Sequence, residues 1–570
     1  MSNKKMMKHG REIARVRIPL VAALVLMLPV MTQAATVTLP GAGSLLQEIK
    51  PVGPTAPSAT ETGLQVQEKP EVLLPPTAPF IVQHIQIKGN TLIDTAILHA
   101  LVANDEGKSV TLQQLDTLAT RITDYYHEKG YPLTRAVIPV QTIRDGQVEI
   151  DIIEASYGKI KLNNSSRVVD SLLQATLSPL QSGGSIEQSS LDRSLLLLSD
   201  IPGAAISATL LPGQSVGTSD LQVDISQISS VSSNVSLDND GSRFTGRERV
   251  NGAVNFIDPF SHGDVLSLTG LSSGNNMNYG RLSYETLLSG SGTRLGGAYS
   301  ALHYILGDSL ANIGGHGTAQ VTNLWLKQPF VRGRNVNFSG ELLYEHKKLN
   351  DEVDVSGIKT DRHEDNWTAS LTGDLRDGVL FGAISTWNVG MTSGQLSYDD
   401  AAAQITDAST ARTQGEFQKM TMNVTRLQSL SARDSVQVNL FAQWSSNNLD
   451  SSEQMVAGGP YSVRAYDMGA LSGDSGYLGT VEFRHDLNMY AQGKLQAVVF
   501  MDSEHITINK NTWTTSTNDA TLSGVGAGFN WTGPAQWTAQ VYVAKPVGSM
   551  PSLIDTSKSI RCWVQLAKGF

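Results

Sequence analysis

Few residues in this chain sit at the spacings that chemistry needs. Gly270-Leu-Ser-Ser-Gly274 matches G-x-S-x-G, the turn that exposes a nucleophilic serine. That motif requires a strand, a sharp turn and a helix. Here it closes a predicted β-strand and opens a Gly/Asn-rich loop, so a hairpin loop is expected. The 11 histidines show no H-x-x-x-H spacing, Cys562 is the single cysteine, and no phosphate-binding loop occurs. No catalytic residue, metal site or cofactor is expected, and the chain reads as a non-enzyme. One segment does gather a cation, aromatics and turn formers: Gly458-Gly-Pro-Tyr-Ser-Val-Arg-Ala-Tyr466, within a long stretch at 445–475 between two predicted strands. A partner for its arginine can be sought by strand parity. In Leu495-Gln-Ala-Val-Val-Phe-Met-Asp502, the residues Leu495, Ala497, Val499 and Met501 make an unbroken apolar face. Asp502 therefore points the other way, with Gln496.

These residues need a scaffold, and the pattern after about Ile228 supplies one. Helical periodicity stops there, and strands with period-two alternation repeat to the last residue. In Val436-Gln-Val-Asn-Leu-Phe-Ala-Gln-Trp444 one face reads Val, Val, Leu, Ala, Trp and the other Gln, Asn, Phe, Gln. A spanning strand takes ~9–11 residues, so residues 228–570 accommodate about 16 strands of a transmembrane antiparallel β-barrel. A soluble sandwich would use shorter and fewer strands. In an outer-membrane barrel Asp502 faces the lumen, where a charge is tolerated. Val564, Leu566 and the terminal Phe570 share one face with Cys562, a pattern like the signal read by barrel-assembly machinery. Across the 570 residues, 17% charge and a net charge of −10 exclude a disordered acidic tail and disfavour a nucleic-acid partner.

The N-terminal third differs. Six basic residues from Lys4 to Arg17 precede an apolar run, Ile18–Met31, and then Thr32-Gln33-Ala34. Residues 1–34 read as a secretory signal peptide. Residues 35–79 read as a Pro-rich linker. Within it a short amphipathic helix is expected at about 42–50, with Leu45, Leu46 and Ile49 on one face, too short to be stable unless docked. Two small α/β modules follow, at 80–154 and 157–226. The first is expected to begin with a strand from Ile81 to Lys88 that buries Ile81, Ile85 and Ile87.

In that order the segments resemble the outer-membrane transporters of two-partner secretion, the hemolysin secretion/activation protein family, relatives of the barrel-assembly insertase. The resemblance rests on Gly130-Tyr131, Pro139-Val-Gln141, Asp145-Gly146 and Glu154 in the first module. It rests also on Leu191-Asp-Arg-Ser-Leu-Leu-Leu-Leu-Ser-Asp-Ile-Pro-Gly203 in the second, and on Ile257-Asp-Pro-Phe-Ser-His-Gly-Asp264 at the first barrel hairpin. It implies a plug helix, two polypeptide-transport-associated (POTRA) domains and a 16-stranded barrel whose long loop at 445–475 folds into the lumen. It implies that the loop motif Val463-Arg464-Ala465-Tyr466 meets Phe500-x-Asp502-x-Glu504 on the barrel wall, through Arg464 and Asp502. Two departures stand out: Ala465 and Glu504 each replace a glycine. The first would be strained at a positive φ, and the second offers Arg464 a rival partner. The implied partners are a large exoprotein with an N-terminal secretion domain, outer-membrane lipids and lipopolysaccharide, and the barrel-assembly machinery. The implied place is the Gram-negative outer membrane, with the POTRA domains in the periplasm. An insertase is the alternative function, and a passive diffusion porin a weaker one.

Overall fold

The computed structural model describes residues 39–49, 63–66, 78–554 and 560–570. The expected signal peptide and most of the Pro-rich linker lie outside them. The first described elements are helix α1 (Ala42–Glu48) and a three-residue strand β1 (Leu64–Val66). The first α/β unit runs β2 (Phe80–Ile81), β3 (His84–Lys88), α2 (Thr95–Ala100), β4 (Ser109–Val110), α3 (Leu112–Glu128), β5 (Arg135–Val137) and β6 (Gln147–Ile153). Its sheet order is β3-β6-β5, with a separate β2-β4 pair. Leu115, Leu118 and Ile122 on one face of α3 bury against Ile85, Ile87, Val148 and Ile150. The helix starts at a capping box, Thr111 with Gln114, and stops at Gly130, whose φ is +90°. One expectation is corrected: the strand breaks after Ile81, which is exposed, and the buried residue is Val82. The chain bends there because Val82 exchanges backbone hydrogen bonds with Gly107 and Lys108 instead of joining the sheet.

The second unit contains β7 (Ser156–Ser165), α4 (Asp170–Leu177), α5 (Gln188–Ser199), β8 (Ala204–Pro212) and β9 (Thr218–Gln227). Its sheet order is β1-β8-β9-β7. A piece of the expected linker is thus a strand: Leu64, Gln65 and Val66 pair in parallel with Ala208, Thr209 and Leu210. Leu64 packs against the unit's core, which explains why three residues suffice.

From Val231 the chain forms a closed antiparallel barrel of 16 strands. Alternation sorts the faces. In Arg294–Ile305, Ala298, Ser300, Leu302 and Tyr304 are buried, whereas Leu295, Tyr299 and Ile305 are exposed. Charged Lys347, Glu364, Glu482 and Asp502 are buried inside while Leu324, Trp367 and Met391 face outward. That inversion of a soluble protein is stable only with lipid outside. Strands 315–332, 336–353, 358–377 and 383–398 have 16 to 20 residues, well beyond the expected ~10. Their outer halves, such as Glu345-His-Lys-Lys and Asp361-Arg-His-Glu-Asp365, carry charge on both faces, so they rise out of the apolar band as a wet ribbon.

The second α/β unit is fixed to one end of the barrel. Arg332 forks onto Asp200 at 2.7 and 2.9 Å, and Arg193 donates to the carbonyls of Pro329 and Phe330. Gly290 lies so close to α4 that a Cβ would stand 2.3 Å from the Ala175 carbonyl carbon. Asp200→Ala removes the fork from a buried guanidinium and is expected to cost about 1–3 kcal/mol at this joint. Spin labels on the second unit and the barrel should then report a broadened distance distribution, with the barrel's own melting unchanged. An unbroadened distribution would show that the joint rests on packing alone.

Candidate functional site

Among the described residues, two segments fill the barrel lumen: α1, and the long loop between the strands Asp434–Ser445 and Ser475–Asp486. The loop's tip is built around Arg464. Its Nη2 meets Asp502 Oδ1 at 2.7 Å, and its Nε and backbone N–H both donate to Oδ2, at 2.9 and 3.1 Å. Nη1 donates to Glu482 Oε1 at 2.6 Å. The guanidinium lies 3.4 Å from the Phe500 ring centroid and 5.4 Å from that of Tyr542, a cation–π stack closed off from water. Trp563 on the last strand donates to the Arg464 carbonyl at 2.7 Å. Val463, Ala465 and Tyr466 are buried beside it.

The structure therefore brings together Val463, Arg464, Ala465, Tyr466, Phe500 and Asp502. Glu504 lies on the same wall and accepts from Ser462 Oγ. Glu482, the second carboxylate on Arg464, is absent from the sequence reading. It lies on the neighbouring strand, where Glu482 pairs with Phe500 and Thr480 with Asp502, and only strand register reveals that diagonal. Ala465 is not left-handed, so the expected strain does not arise. The space comes from the wall, where a Cβ on Gly524 would stand 2.4 Å from that of Ala465.

The tip also bridges the barrel's closure. Asp467 binds Arg247 and Arg561, each at 2.7 Å, and Tyr461 donates to Asp240 at 3.1 Å. These residues flank the first and last strands, whose ladder has only five residue pairs. The loop base is pinned by Glu453 to Lys347 and Lys419, and by Asp450 to Arg362 at 2.6 Å.

Helix α1 docks between that loop and the wall. Ala42 and Leu45 are fully buried against Leu302, Tyr304, Ala319 and Leu349, and Leu46 and Ile49 pack at the margin of the same cluster. Asp351 ties the helix to the loop. It accepts from the Ala42 N–H at 2.7 Å, the Tyr304 hydroxyl at 2.6 Å and Arg362 at 2.7 Å, and Arg362 in turn holds Asp450. Glu48 is buried at the other end of α1 with Oε2 unpaired. On this luminal helix burial pushes its carboxyl up to about 8, opposed by Arg249. At the C-terminus Val564 and Leu566 face outward and Phe570 is exposed.

A closed barrel with an apolar outside, a lumen holding a docked helix and an ion-paired loop, and an α/β unit fixed at one mouth define an outer-membrane polypeptide transporter. The particular family follows from comparison with known proteins. Residues 217–531 match the haemolysin secretion/activation protein family ShlB/FhaC/HecB, and residues 80–155 match its ShlB-type POTRA domain. The chain belongs to that family, the outer-membrane transporters of two-partner secretion, with POTRA domains in the periplasm. Among curated relatives, the heme/hemopexin transporter protein HuxB of Haemophilus influenzae (strain 86-028NP) is 28% identical, covering 92% of each chain. The outer membrane transporter CdiB of Dickeya dadantii is 23% identical over 82% of this chain and 83% of its own. Among solved structures, CdiB from Escherichia coli superposes with a TM-score of 0.68 at 20% identity, covering 88% of this chain and 93% of that one. BamA from Haemophilus ducreyi lacking POTRA domains 1–3 shares the fold at a TM-score of 0.52 and 14% identity, over 86% of this chain and 100% of that one.

Proposed function

We infer that the client of this transporter is a large exoprotein carrying an N-terminal secretion domain, and that it passes through the lumen unfolded. The observation that carries this reading is the lumen itself, filled by two segments, each held through side chains that a passing chain can displace. Docking begins at the α/β units, where an extended client segment adds to a sheet edge. On the second unit the β8 edge is covered by β1, so a client strand there must displace Leu64–Val66. Helix α1 then leaves, the long loop shifts, and folding outside the cell gives the passage direction. The HuxB relatives are named for heme and hemopexin. Their coverage favours a client of that kind here over other exoproteins. Outer-membrane lipid and lipopolysaccharide contact the apolar belt, and barrel-assembly machinery reads the C-terminal strand.

The test is co-expression with a candidate large exoprotein that carries an N-terminal secretion domain, followed by blotting of medium and periplasm and capture of the medium on hemopexin resin. The expected result is client in the medium only when the transporter is present. Client held in the periplasm beside a folded barrel would move the insertase reading ahead. Unrestricted passage of small solutes without secretion would support a porin. Secreted client that ignores hemopexin would overturn only the ligand assignment.

A further inference from the structure

We propose that His84, His99 and Glu106 in the first α/β unit form a binding site for one divalent transition-metal ion of the zinc class. The three residues come from three elements: His84 opens β3, His99 lies in the last turn of α2, and Glu106 follows the 3-10 turn Ala103–Asp105. Their separations in sequence match no metal motif, and only the fold brings them together. Glu106 Oε1 is 3.2 Å from His84 Nδ1 and 3.1 Å from His99 Nε2, and all three ligand atoms lie within 4.8 Å of one another. Zinc–nitrogen and zinc–oxygen bonds of roughly 2.0–2.2 Å place the edges of a tetrahedral site at about 3.3–3.5 Å. Two of the three edges thus stand near that length already. The third closes by rotation of His84, whose side chain is 60% exposed.

The carboxylate is set in place independently of either histidine. The Ile85 N–H donates to Glu106 Oε1 at 2.7 Å. Without a cation the same oxygen serves that N–H and the His99 ring, with the His84 ring nitrogen crowding it at 3.2 Å. An ion relieves this crowding: each imidazole turns a lone pair to the metal, its proton moves to the other ring nitrogen, and the Ile85 bond stays. Two imidazoles and a carboxylate are the borderline N/O set that zinc favours, and nickel and copper bind such sets as well. With three protein ligands the fourth position opens to solvent, through the exposed His84. The ion staples α2 to β3, the outer strand of the sheet.

A second group, His316, Glu352 and Asp354, lies on the barrel's outer ribbon and must be controlled for. The experiment uses the full chain in detergent micelles, with any affinity tag removed and the protein stripped by chelator. Zn²⁺ is titrated by calorimetry, and Co²⁺ serves as a probe of tetrahedral geometry by its visible absorption. The expected result is one equivalent of bound Zn²⁺, weakened at least tenfold in His84→Gln and in His99→Gln and unchanged in His316→Gln. Glu106→Gln should weaken it too and shift the Co²⁺ spectrum. Melting curves establish that each variant is folded, and His84→Gln, on an exposed side chain, is the variant least able to disturb folding. Binding that survives both His84→Gln and His99→Gln would overturn the assignment. So would no binding to the unmodified chain, which would leave a hydrogen-bonded His–Glu–His clip.

Discussion

Arg464→Ala is expected to abolish secretion while leaving a folded barrel in the membrane. The substitution withdraws one cation from two buried carboxylates. Glu482 keeps Arg484 at 2.6 Å, but Asp502, fully buried, keeps only the Arg464 backbone N–H among the bonds described above. Breaking a buried pair by removing one partner costs on the order of 3–5 kcal/mol, because the remaining charge is stranded. The loss also removes the guanidinium stacked on Phe500 and Tyr542. That energy is local to the loop tip. The strands close through their own ladders, so cold gel mobility of the heat-modifiable barrel should persist while protease cuts the loop near residue 464. Arg464→Lys keeps the charge but loses the fork, and should secrete at an intermediate level. Asp502→Asn should resemble Arg464→Ala more closely than Glu482→Gln does, since three of the four hydrogen bonds that Arg464 donates go to Asp502. Normal secretion by Arg464→Ala with an uncut loop would show that the cluster is ornamental to transport.

How much of this cluster could be read beforehand depends on the kind of information each residue carries. Asp502 was legible from parity alone, because one misplaced charge in an alternating strand declares which face is wet. Its match to Arg464 needed the family resemblance, since no periodicity links a loop to a strand 38 residues away. Glu482 and Gly524 were illegible for a different reason. Both sit on strands beside that of Asp502, and their relevance follows from register, which period-two patterns leave open. The same limit hides Asp351. It reads as one more charge in Lys347-Lys-Leu-Asn-Asp-Glu352, yet the barrel's curvature puts it at the N-terminus of α1, 309 residues away. β1 was hidden by its proline-rich surroundings, and the His84–His99–Glu106 group by its lack of any recognised spacing. Element types on the other hand were legible, because the 2-residue and 3.6-residue periods are local properties.

The second large effect concerns α1, and two substitutions in it should act in opposite directions. A side chain at Gly43 has no room: its Cβ would stand 2.5 Å from Ser451 Oγ and 2.6 Å from the Ser452 backbone nitrogen. Ser452 cannot retreat freely, because its N–H is donated to Asp450 at 2.9 Å and its hydroxyl to Glu364 at 3.0 Å. Gly43→Val should therefore expel the helix and raise single-channel conductance and sensitivity to bulky antibiotics severalfold. Glu48 works against docking in the native chain. Docked, its carboxyl titrates near 8, whereas on a helix released into water it returns to the ordinary value near 4.5. The docked form thus holds its proton more tightly, so docking is strongest in acid and weakens as pH rises from about 4.5 to about 8, where the dependence ends. Arg249 moderates this charge but is itself engaged by Asp238 at 2.8 Å. Glu48→Gln removes the titration, so its conductance should stay low and flat across that window while the native pore opens more often toward pH 8. Planar-bilayer recordings from pH 5 to 8.5 separate the cases. Equal conductance for Gly43→Val and the native chain would mean that α1 does not close the pore. A native pore indifferent to pH would mean that Glu48 finds a partner when docked. Only a helix that both fills the lumen and buries an unpaired acid predicts one substitution that opens the pore and another that locks it.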